Sequence, residues 1–160
     1  MDMRRLLEIA GLILAVWVAV HSDAGAGPGQ ILISNQNHSL AINAWGGAQP
    51  GTVVRLYNGC PGANPDCTWT YRNRMLVSDR NPNLAIRASD GTRHGAVLKL
   101  SPCRSDNSEC TWTYRRGMFL SDRDPSLAIN AWGGAKHGTV LRLHNGCRPD
   151  NPDCTWTWRK

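Results

Sequence analysis

The sequence predicts an all-β domain built from three copies of one unit, and three observations support this prediction. Residues 40–47, Leu-Ala-Ile-Asn-Ala-Trp-Gly-Gly, recur unchanged at 127–134 and in a looser form at 84–91. Apolar and polar residues alternate with a period of two in four short runs per copy, which is typical of β-strands rather than helices. Each copy ends in Cys-Thr-Trp-Thr, with its tryptophan at Trp69, Trp112 or Trp156. A repeat of this length determines the architecture.

The four runs of each copy are predicted to form four strands, in chain order. The first is an apolar run that ends in Ser, followed by turn residues Asn, Asp and Pro. The second is Leu-Ala-Ile, with Leu and Ile on one face and with Ala and the residue after Ile, Asn43 or Asn130 in repeats one and three, on the opposite, outward face. In the third, Val or Leu alternates with Arg or Lys, and the fourth is Thr-Trp-Thr with a final aromatic residue. The tryptophan of the fourth strand lies on an apolar face in all three copies, so Trp69, Trp112 and Trp156 are predicted to lie in the core.

Twelve short strands in three sets of four suit two closed all-β architectures. A propeller with three blades would fall below the usual four to eight blades. The alternative is a β-trefoil, a six-stranded barrel with a cap of three hairpins and pseudo-threefold symmetry. The β-trefoil is therefore the predicted fold, with repeats at about 30–73, 74–116 and 117–160.

Residues 1–26 lie outside the repeats and have the pattern of a secretory signal peptide. Arg4 and Arg5 precede an apolar run, and Ala24-Gly-Ala26 provides the small residues that signal peptidase accepts. The uninterrupted apolar run from Ile9 to Val20 is shorter than the roughly 20 residues that span a bilayer, which disfavours the alternative of an uncleaved anchor. The prediction is a secreted, extracellular domain over residues 27–160, without membrane insertion of the mature chain.

The six cysteines form three pairs with identical spacing. In a secreted chain such pairs predict disulfides, and repeat symmetry selects three local bonds among the formal alternatives. Each would close a short loop and contribute about 2.5 kcal/mol in the chain-entropy model. Zinc is the alternative, but metal-binding pairs are usually two to four residues apart and need four converging ligands. The predicted disulfides are Cys60–Cys67, Cys103–Cys110 and Cys147–Cys154.

Charge and composition argue against several classes of function. The chain has a formal net charge of +6, but its arginines are spread over all three repeats instead of forming a stripe. This pattern predicts a solvated basic surface, with weak attraction to anionic cell envelopes as a secondary possibility and no nucleic-acid partner. No histidine lies beside a nucleophile and an orienting acid, and the aspartates fall at turn positions. The chain is therefore predicted to be no enzyme and to need no cofactor or metal.

The order of elements resembles the ricin B-chain type of β-trefoil lectin over residues 30–160. The resemblance rests on a Gly-x-x-(Leu)-Arg-Leu-aromatic strand followed by a loop that ends in a tryptophan motif. Two features depart from the family. Its Gln-x-Trp is Cys-Thr-Trp here, at Cys67, Cys110 and Cys154, and its second-strand Asp is replaced by Ala41, Ala85 and Ala128. The resemblance implies the fold and carbohydrate binding, but it does not carry galactose specificity.

A sugar site of this family combines one aromatic face with several hydrogen-bonding groups, and repeats one and three both contain such a set. Repeat two has Ser89 where the other repeats have tryptophan, so the fold does not require tryptophan there. Trp45 and Trp132 are therefore predicted to bind a ligand; the alternative is that they cover the barrel mouth. The predicted carbohydrate-binding residues are Asn43, Trp45, Tyr57, Asn58 and Asp66 in repeat one, and Asn130, Trp132, His144, Asn145 and Asp153 in repeat three, where Trp132 or His144 provides the face. Repeat two has Arg87, Ser89, Ser101, Pro102 and Glu109 instead.

These observations predict a secreted, lectin-like module with glycans or glycoconjugates as partners and two sites, in repeats one and three. A β-trefoil that mediates protein contact without sugar binding, as in protease inhibitors or toxin-delivery subunits, is the alternative. A purely structural trefoil is a third possibility.

Overall fold

The computed structural model describes residues 29–61 and 63–160, so the predicted signal peptide lies outside the described residues. Within this part the chain is all-β as predicted, with twelve strands and a single turn of 3-10 helix at Pro152–Cys154. None of the described residues belongs to a helix long and apolar enough to cross a membrane. The strands are β1 (Gln30–Ser34), β2 (Leu40–Ala44), β3 (Val54–Asn58), β4 (Thr68–Arg72), β5 (Met75–Ser78), β6 (Leu84–Ala88), β7 (Leu98–Pro102), β8 (Trp112–Arg115), β9 (Met118–Ser121), β10 (Ala128–Ala131), β11 (Leu141–His144) and β12 (Trp156–Arg159).

The first and fourth strands of each repeat form a six-stranded barrel. β1 pairs antiparallel with both β12 and β4, so the two ends of the domain lie side by side. The hairpins β4–β5 and β8–β9 connect one repeat to the next. Two backbone bonds join the remaining edges: the Trp112 N–H donates to the Arg74 carbonyl at 2.7 Å, and the Trp156 N–H donates to the Gly117 carbonyl at 2.8 Å.

The second and third strands of each repeat form the hairpins of the cap: β2–β3, β6–β7 and β10–β11. The turn of each hairpin reaches the third strand of another repeat, where a glycine N–H donates to a leucine carbonyl. These bonds run from Gly51 to Leu100 at 2.8 Å, from Gly95 to Leu143 at 2.8 Å and from Gly138 to Leu56 at 2.7 Å. The same contact made three times in a cycle is the pseudo-threefold symmetry of a β-trefoil.

Three tryptophans occupy the core, and this confirms the prediction for Trp69, Trp112 and Trp156, which are at most 1% exposed. Each indole Nε1–H donates to the carbonyl of the isoleucine in the second strand of its own repeat: Ile42 at 3.0 Å, Ile86 at 3.1 Å and Ile129 at 3.3 Å. A buried indole needs such a partner, because an unpaired polar group in the core is costly. The repeated tryptophan therefore joins barrel to cap three times.

The three predicted disulfides are present, as Cys60–Cys67, Cys103–Cys110 and Cys147–Cys154. In repeat one the bonded cysteines pack with Ile31, Ile33 and Ala41 in a small apolar cluster on the outer side of the barrel. The disulfide loop thus covers the face of β2 that alternation places away from the main core. All five residues of β2 are buried as a result.

The disulfide loop buries two residues that were predicted to face outward. Asn43 and Asn130 are each only 6% exposed. The amide of Asn43 donates to the Asp66 carbonyl at 3.2 Å and to Cys67 Sγ at 3.3 Å, and Asn130 makes the same bonds to Asp153 and Cys154 at 3.3 and 3.2 Å. The two asparagines therefore attach the disulfide loop to the second strand.

Candidate functional site

A cleft of about 440 Å³ opens in repeat three between the turn after β10, the end of β11 and the loop before β12. It brings together four of the five residues predicted there. Asn145 is exposed on the turn after β11 and does not line the cleft. Ala131, Gly133, Gly134 and Asn151 also line the cleft and are not among the predicted site residues. The lining is Asn130, Ala131, Trp132, Gly133, Gly134, His144, Asn151 and Asp153.

Trp132 and His144 form an aromatic wall of this cleft. Trp132 is 38% exposed, as is Trp45, and these two are the exposed large hydrophobic side chains among the described residues. The rings of Trp132 and His144 meet edge to face, with centroids 6.0 Å apart and an interplanar angle of 89°. The Arg142 guanidinium lies 5.5 Å from the Trp132 centroid, within the range of a cation–π contact. The indole is thus held in place while part of its surface stays open to solvent.

The third ring of this cluster comes from another repeat and was not foreseen. His94, in the turn between β6 and β7, has its centroid 5.2 Å from Trp132 and 5.1 Å from His144. The backbone N–H of Asn145 donates to His94 Nδ1 at 3.4 Å. Since Nδ1 accepts that bond, the neutral imidazole carries its proton on Nε2. His94 therefore supports a candidate site that belongs otherwise to repeat three.

The same arrangement recurs around Trp45 in repeat one. Trp45 and Tyr57 meet with centroids 6.0 Å apart, and His137 from repeat three lies 5.3 and 5.1 Å from them. The Asn58 N–H donates to His137 Nδ1 at 3.3 Å. Arg55 lies 5.5 Å from the Trp45 centroid. Trp45 and Trp132 thus pack across a repeat boundary, while more than a third of each side chain remains exposed.

Each of the two arginines also fixes the turn that carries the histidine. Arg55 Nη1 donates to the Gly138 carbonyl at 3.1 Å, and Arg142 Nη1 donates to the Gly95 carbonyl at 3.0 Å. These glycines directly follow His137 and His94. A side chain of the third strand therefore positions both its own tryptophan and the histidine of the neighbouring repeat.

Repeat two lacks every part of this cluster. It has Ser89 in place of the tryptophan and Ser101 in place of Tyr57 or His144. The hairpin turn that contacts the third strand of repeat two belongs to repeat one. In that turn, the position that matches His94 and His137 is Pro50. One signal in the sequence could have revealed the pattern: His94 lies in the repeat that has Ser89 in place of Trp45 or Trp132, and Pro50 lies in a repeat that has this tryptophan.

The acid directly before the second cysteine of each disulfide loop, Asp66, Glu109 or Asp153, has a different environment in each repeat. Asp153 Oδ1 and His144 Nδ1 are buried and have no hydrogen-bond partner among the described residues. Burial raises the pKa of the Asp153 carboxyl above its ordinary value, and the backbone N–H of Ala135 acts in the opposite direction. In repeat two, Glu109 forms an ion pair with Arg87.

In repeat one the acid, Asp66, forms an ion pair with Arg80 of repeat two. Arg80 donates from Nε to Asp66 Oδ1 at 2.6 Å and from Nη2 to Oδ2 at 3.0 Å. This is the bidentate geometry that arginine favours with carboxylates. Of these three acids, Asp153 is the one without a cationic partner among the described residues, and it lines the cleft of repeat three beside the aromatic wall.

No protein-family model matches the sequence, and no curated protein sequence matches it. Solved structures with the same fold are nevertheless numerous. The C-terminal half of an earthworm R-type lectin, solved in complex with GalNAc, has a TM-score of 0.66 at 15% identity and aligns over 83% of this chain and 98% of its own. The β-trefoil lectin of the Vibrio vulnificus hemolysin/cytolysin, with N-acetyl-D-lactosamine bound, gives 0.64 at 14% identity over 83% and 95%.

A designed protein with threefold symmetry, ThreeFoil, gives a TM-score of 0.68 at 13% identity over 82% of this chain and 99% of its own. Similarity at this level of identity establishes the fold. It agrees with the cyclic contacts between the three hairpin turns, which show the same symmetry in this chain.

Proposed function

We propose that this protein is a secreted, non-enzymatic carbohydrate-binding module with two sites, centred on Trp45 in repeat one and Trp132 in repeat three. The observation that carries the proposal is the cleft of repeat three, where a partly exposed indole stands beside a carboxyl group whose Oδ1 has no hydrogen-bond partner among the described residues. A sugar ring presents an apolar face and several hydroxyl groups. The indole suits the face, and Asp153 and His144 suit the hydroxyls.

The energetics of the cleft favour a ligand that forms hydrogen bonds. A buried polar atom without a partner costs about 1 to 3 kcal/mol. A hydroxyl group that bonded to the Asp153 carboxyl or to His144 would offset part of this cost. Each site alone is expected to be weak, near millimolar, which corresponds to about 4 kcal/mol. Two sites on one rigid domain would strengthen binding to a multivalent glycan through effective concentration.

Two kinds of observation support the remaining parts of the proposal. The three disulfides are typical of proteins outside the reducing cytosol and agree with the predicted signal peptide. The similar earthworm and Vibrio structures contain GalNAc and N-acetyl-D-lactosamine, so glycans are the first class of ligand to test. Repeat two is proposed not to bind, because Arg87 and Glu109 pair with each other at the matching place.

A glycan array probed with the mature chain, residues 27–160, tests the proposal. Binding to a defined subset of glycans is expected, with competition by the corresponding free sugar and two sites per chain in a titration. The reduced and unfolded chain is the control for nonspecific attraction by the basic surface. Absence of binding to any glycan, together with capture of a protein partner, would favour the protein-contact alternative.

A substitution in repeat two is expected to weaken the site of repeat three. His94→Ala removes the ring that packs against Trp132 and His144 and also the acceptor for the Asn145 N–H. We expect binding at Trp132 to weaken about tenfold, which equals about 1.4 kcal/mol, and binding at Trp45 to stay unchanged. The Trp132 and Trp45 indole N–H resonances, followed by NMR during a sugar titration, report the two sites separately.

Three further variants test the cause of this loss. His137→Ala should give the reverse pattern, with a loss at Trp45 alone, because its ring packs there. His94→Phe retains a ring but loses the acceptor, so it should restore part of the affinity. Pro50→Ala, at the matching position that faces repeat two, is the control and should change neither site. Equal weakening of both sites by His94→Ala would contradict the assignment.

A further inference from the structure

The turn between the first and second strands differs among the three repeats, and this difference affects the two candidate sites. The turn after β5 carries Arg80, whose guanidinium crosses to repeat one and binds Asp66 through both oxygens. The Asn81 amide donates to the Ala48 carbonyl at 3.5 Å beside it. The turn after β5 in repeat two thus borders the site of repeat one, and Arg80 occupies that border.

The matching edge of the repeat-three cleft is bordered by the turn after β1, where Gln36 takes the place of Arg80. Gln36 is exposed, and Asp153 Oδ1 has no partner among the described residues. A recess of about 500 Å³ lies along this turn and reaches Ala135, the residue after Gly134 of the cleft. We call it the turn recess; it is lined by Asn35, Gln36, Asn37, His38, Ser39 and Ala135.

The turn recess leads on to a second hollow of about 240 Å³, which it meets at His38. Trp158 and Ile33 give this hollow an apolar surface, and Thr157 and Arg159 complete its lining. The hollow and the turn recess share His38, and Ala135 of the turn recess directly follows Gly134 of the cleft, so all three lie along the boundary between repeats three and one. The turn recess itself offers amide, hydroxyl and imidazole groups and no carboxylate, which suits a neutral ligand rich in hydroxyls.

We infer that the two sites differ in the length of the saccharide that they accept, an inference that rests on the proposed function. The repeat-three cleft binds a terminal sugar unit at Trp132 and Asp153, and the next unit lies in the turn recess against Gln36 and Ser39. In repeat one the Arg80–Asp66 pair occupies the corresponding passage, so that this site binds a terminal unit alone. The ligand class of the extended site is a neutral oligosaccharide of at least two units.

Galactose and N-acetyl-D-lactosamine, of which galactose is the terminal unit, are the probes. In the wild-type chain the disaccharide should bind at Trp132 roughly tenfold more tightly than galactose, the gain from one or two additional hydrogen bonds. At Trp45 the two sugars should bind equally. The indole N–H resonances of the two tryptophans report the affinities separately.

Two substitutions exchange the residues that border the two sites, Gln36 and Arg80. Gln36→Arg copies the residue of repeat two and should remove the tenfold gain at Trp132. Arg80→Gln copies the residue of repeat one and should create a gain at Trp45. Arg123→Gln, at the matching position of the third turn, is the control and should alter neither site. A gain at Trp132 that persists in Gln36→Arg would overturn the inference.

A measurement without sugar separates the inference from the function on which it rests. An arginine at position 36 that reaches Asp153 should lower the pKa of its carboxyl, since an adjacent cation favours the charged form. Arg80→Gln should leave that pKa unchanged. An unchanged Asp153 pKa in Gln36→Arg would overturn the inference even if both sugars bind. If the pKa falls but neither sugar shifts either indole resonance, the geometry is as described and the proposed binding of these sugars fails.

Discussion

Replacement of both Trp45 and Trp132 by alanine is expected to abolish glycan binding and to leave the trefoil folded. Both indoles are 38% exposed and are held beside polar groups by a cation–π contact. Loss of a tryptophan from the centre of a binding site typically costs about 2 kcal/mol or more. For a site of millimolar affinity, near 4 kcal/mol, this places the remaining affinity in the range of tens of millimolar, below detection on an array.

The single variants and a control in repeat two sharpen this prediction. Each single variant should lose one site of the two in a titration and should no longer bind a multivalent surface strongly, because effective concentration requires both sites. Ser89→Ala, at the matching position of repeat two, should bind as the wild type does. Thermal unfolding of each variant checks that the fold is retained. Unchanged binding by the double variant would refute the assignment of both sites.

Replacement of Trp156 by alanine is expected to give the opposite result, a large loss of stability. The side chain is 1% exposed, and its indole donates to the Ile129 carbonyl at 3.3 Å. Truncation of a buried tryptophan costs about 3 to 5 kcal/mol. The carbonyl that loses its donor adds to this cost. Domains of this size are stable by only 5 to 15 kcal/mol, so the loss is a large part of the total.

Chemical denaturation followed by circular dichroism measures this effect. Trp132→Ala is the matched control, because it removes the same type of side chain from a partly exposed position. We expect its free energy of unfolding to fall by a smaller amount than that of Trp156→Ala. If the free energy of unfolding of Trp156→Ala lay within about 1 kcal/mol of the wild-type value, the core role of the repeated tryptophan would be wrong, because such truncations cost more.

The sequence was sufficient to predict features that depend on contacts within one repeat. The period of two places Trp69 and its equivalents on a buried face, and those tryptophans do lie in the core. The constant spacing of the cysteines predicts three local disulfides, and the described chain has them. Four of the five residues predicted for repeat three line one cleft, because the second strand, the third strand and the disulfide loop of one repeat lie together.

Alternation predicted the face of Asn43 and Asn130 correctly but not their burial. A strand pattern shows which residues share a face, and it does not show what covers that face. Here the disulfide loop folds over the outer side of the second strand, so both asparagines lie beneath the loop and bond to it. Their position depends on the path of a loop that has no periodic pattern.

The sequence by itself determined the three repeats, their strands, the buried tryptophans, the disulfides and the contrast between repeat two and the other two. Only the tertiary structure decided how the candidate sites are completed. His137 reaches Asn58 across 79 residues, and His94 reaches Asn145 across 51. The Arg80–Asp66 pair likewise joins two repeats. Periodicity within a repeat comes from local backbone geometry, whereas these contacts exist because the barrel closes and the pseudo-threefold symmetry places the turn of one repeat beside the aromatic side chains of another.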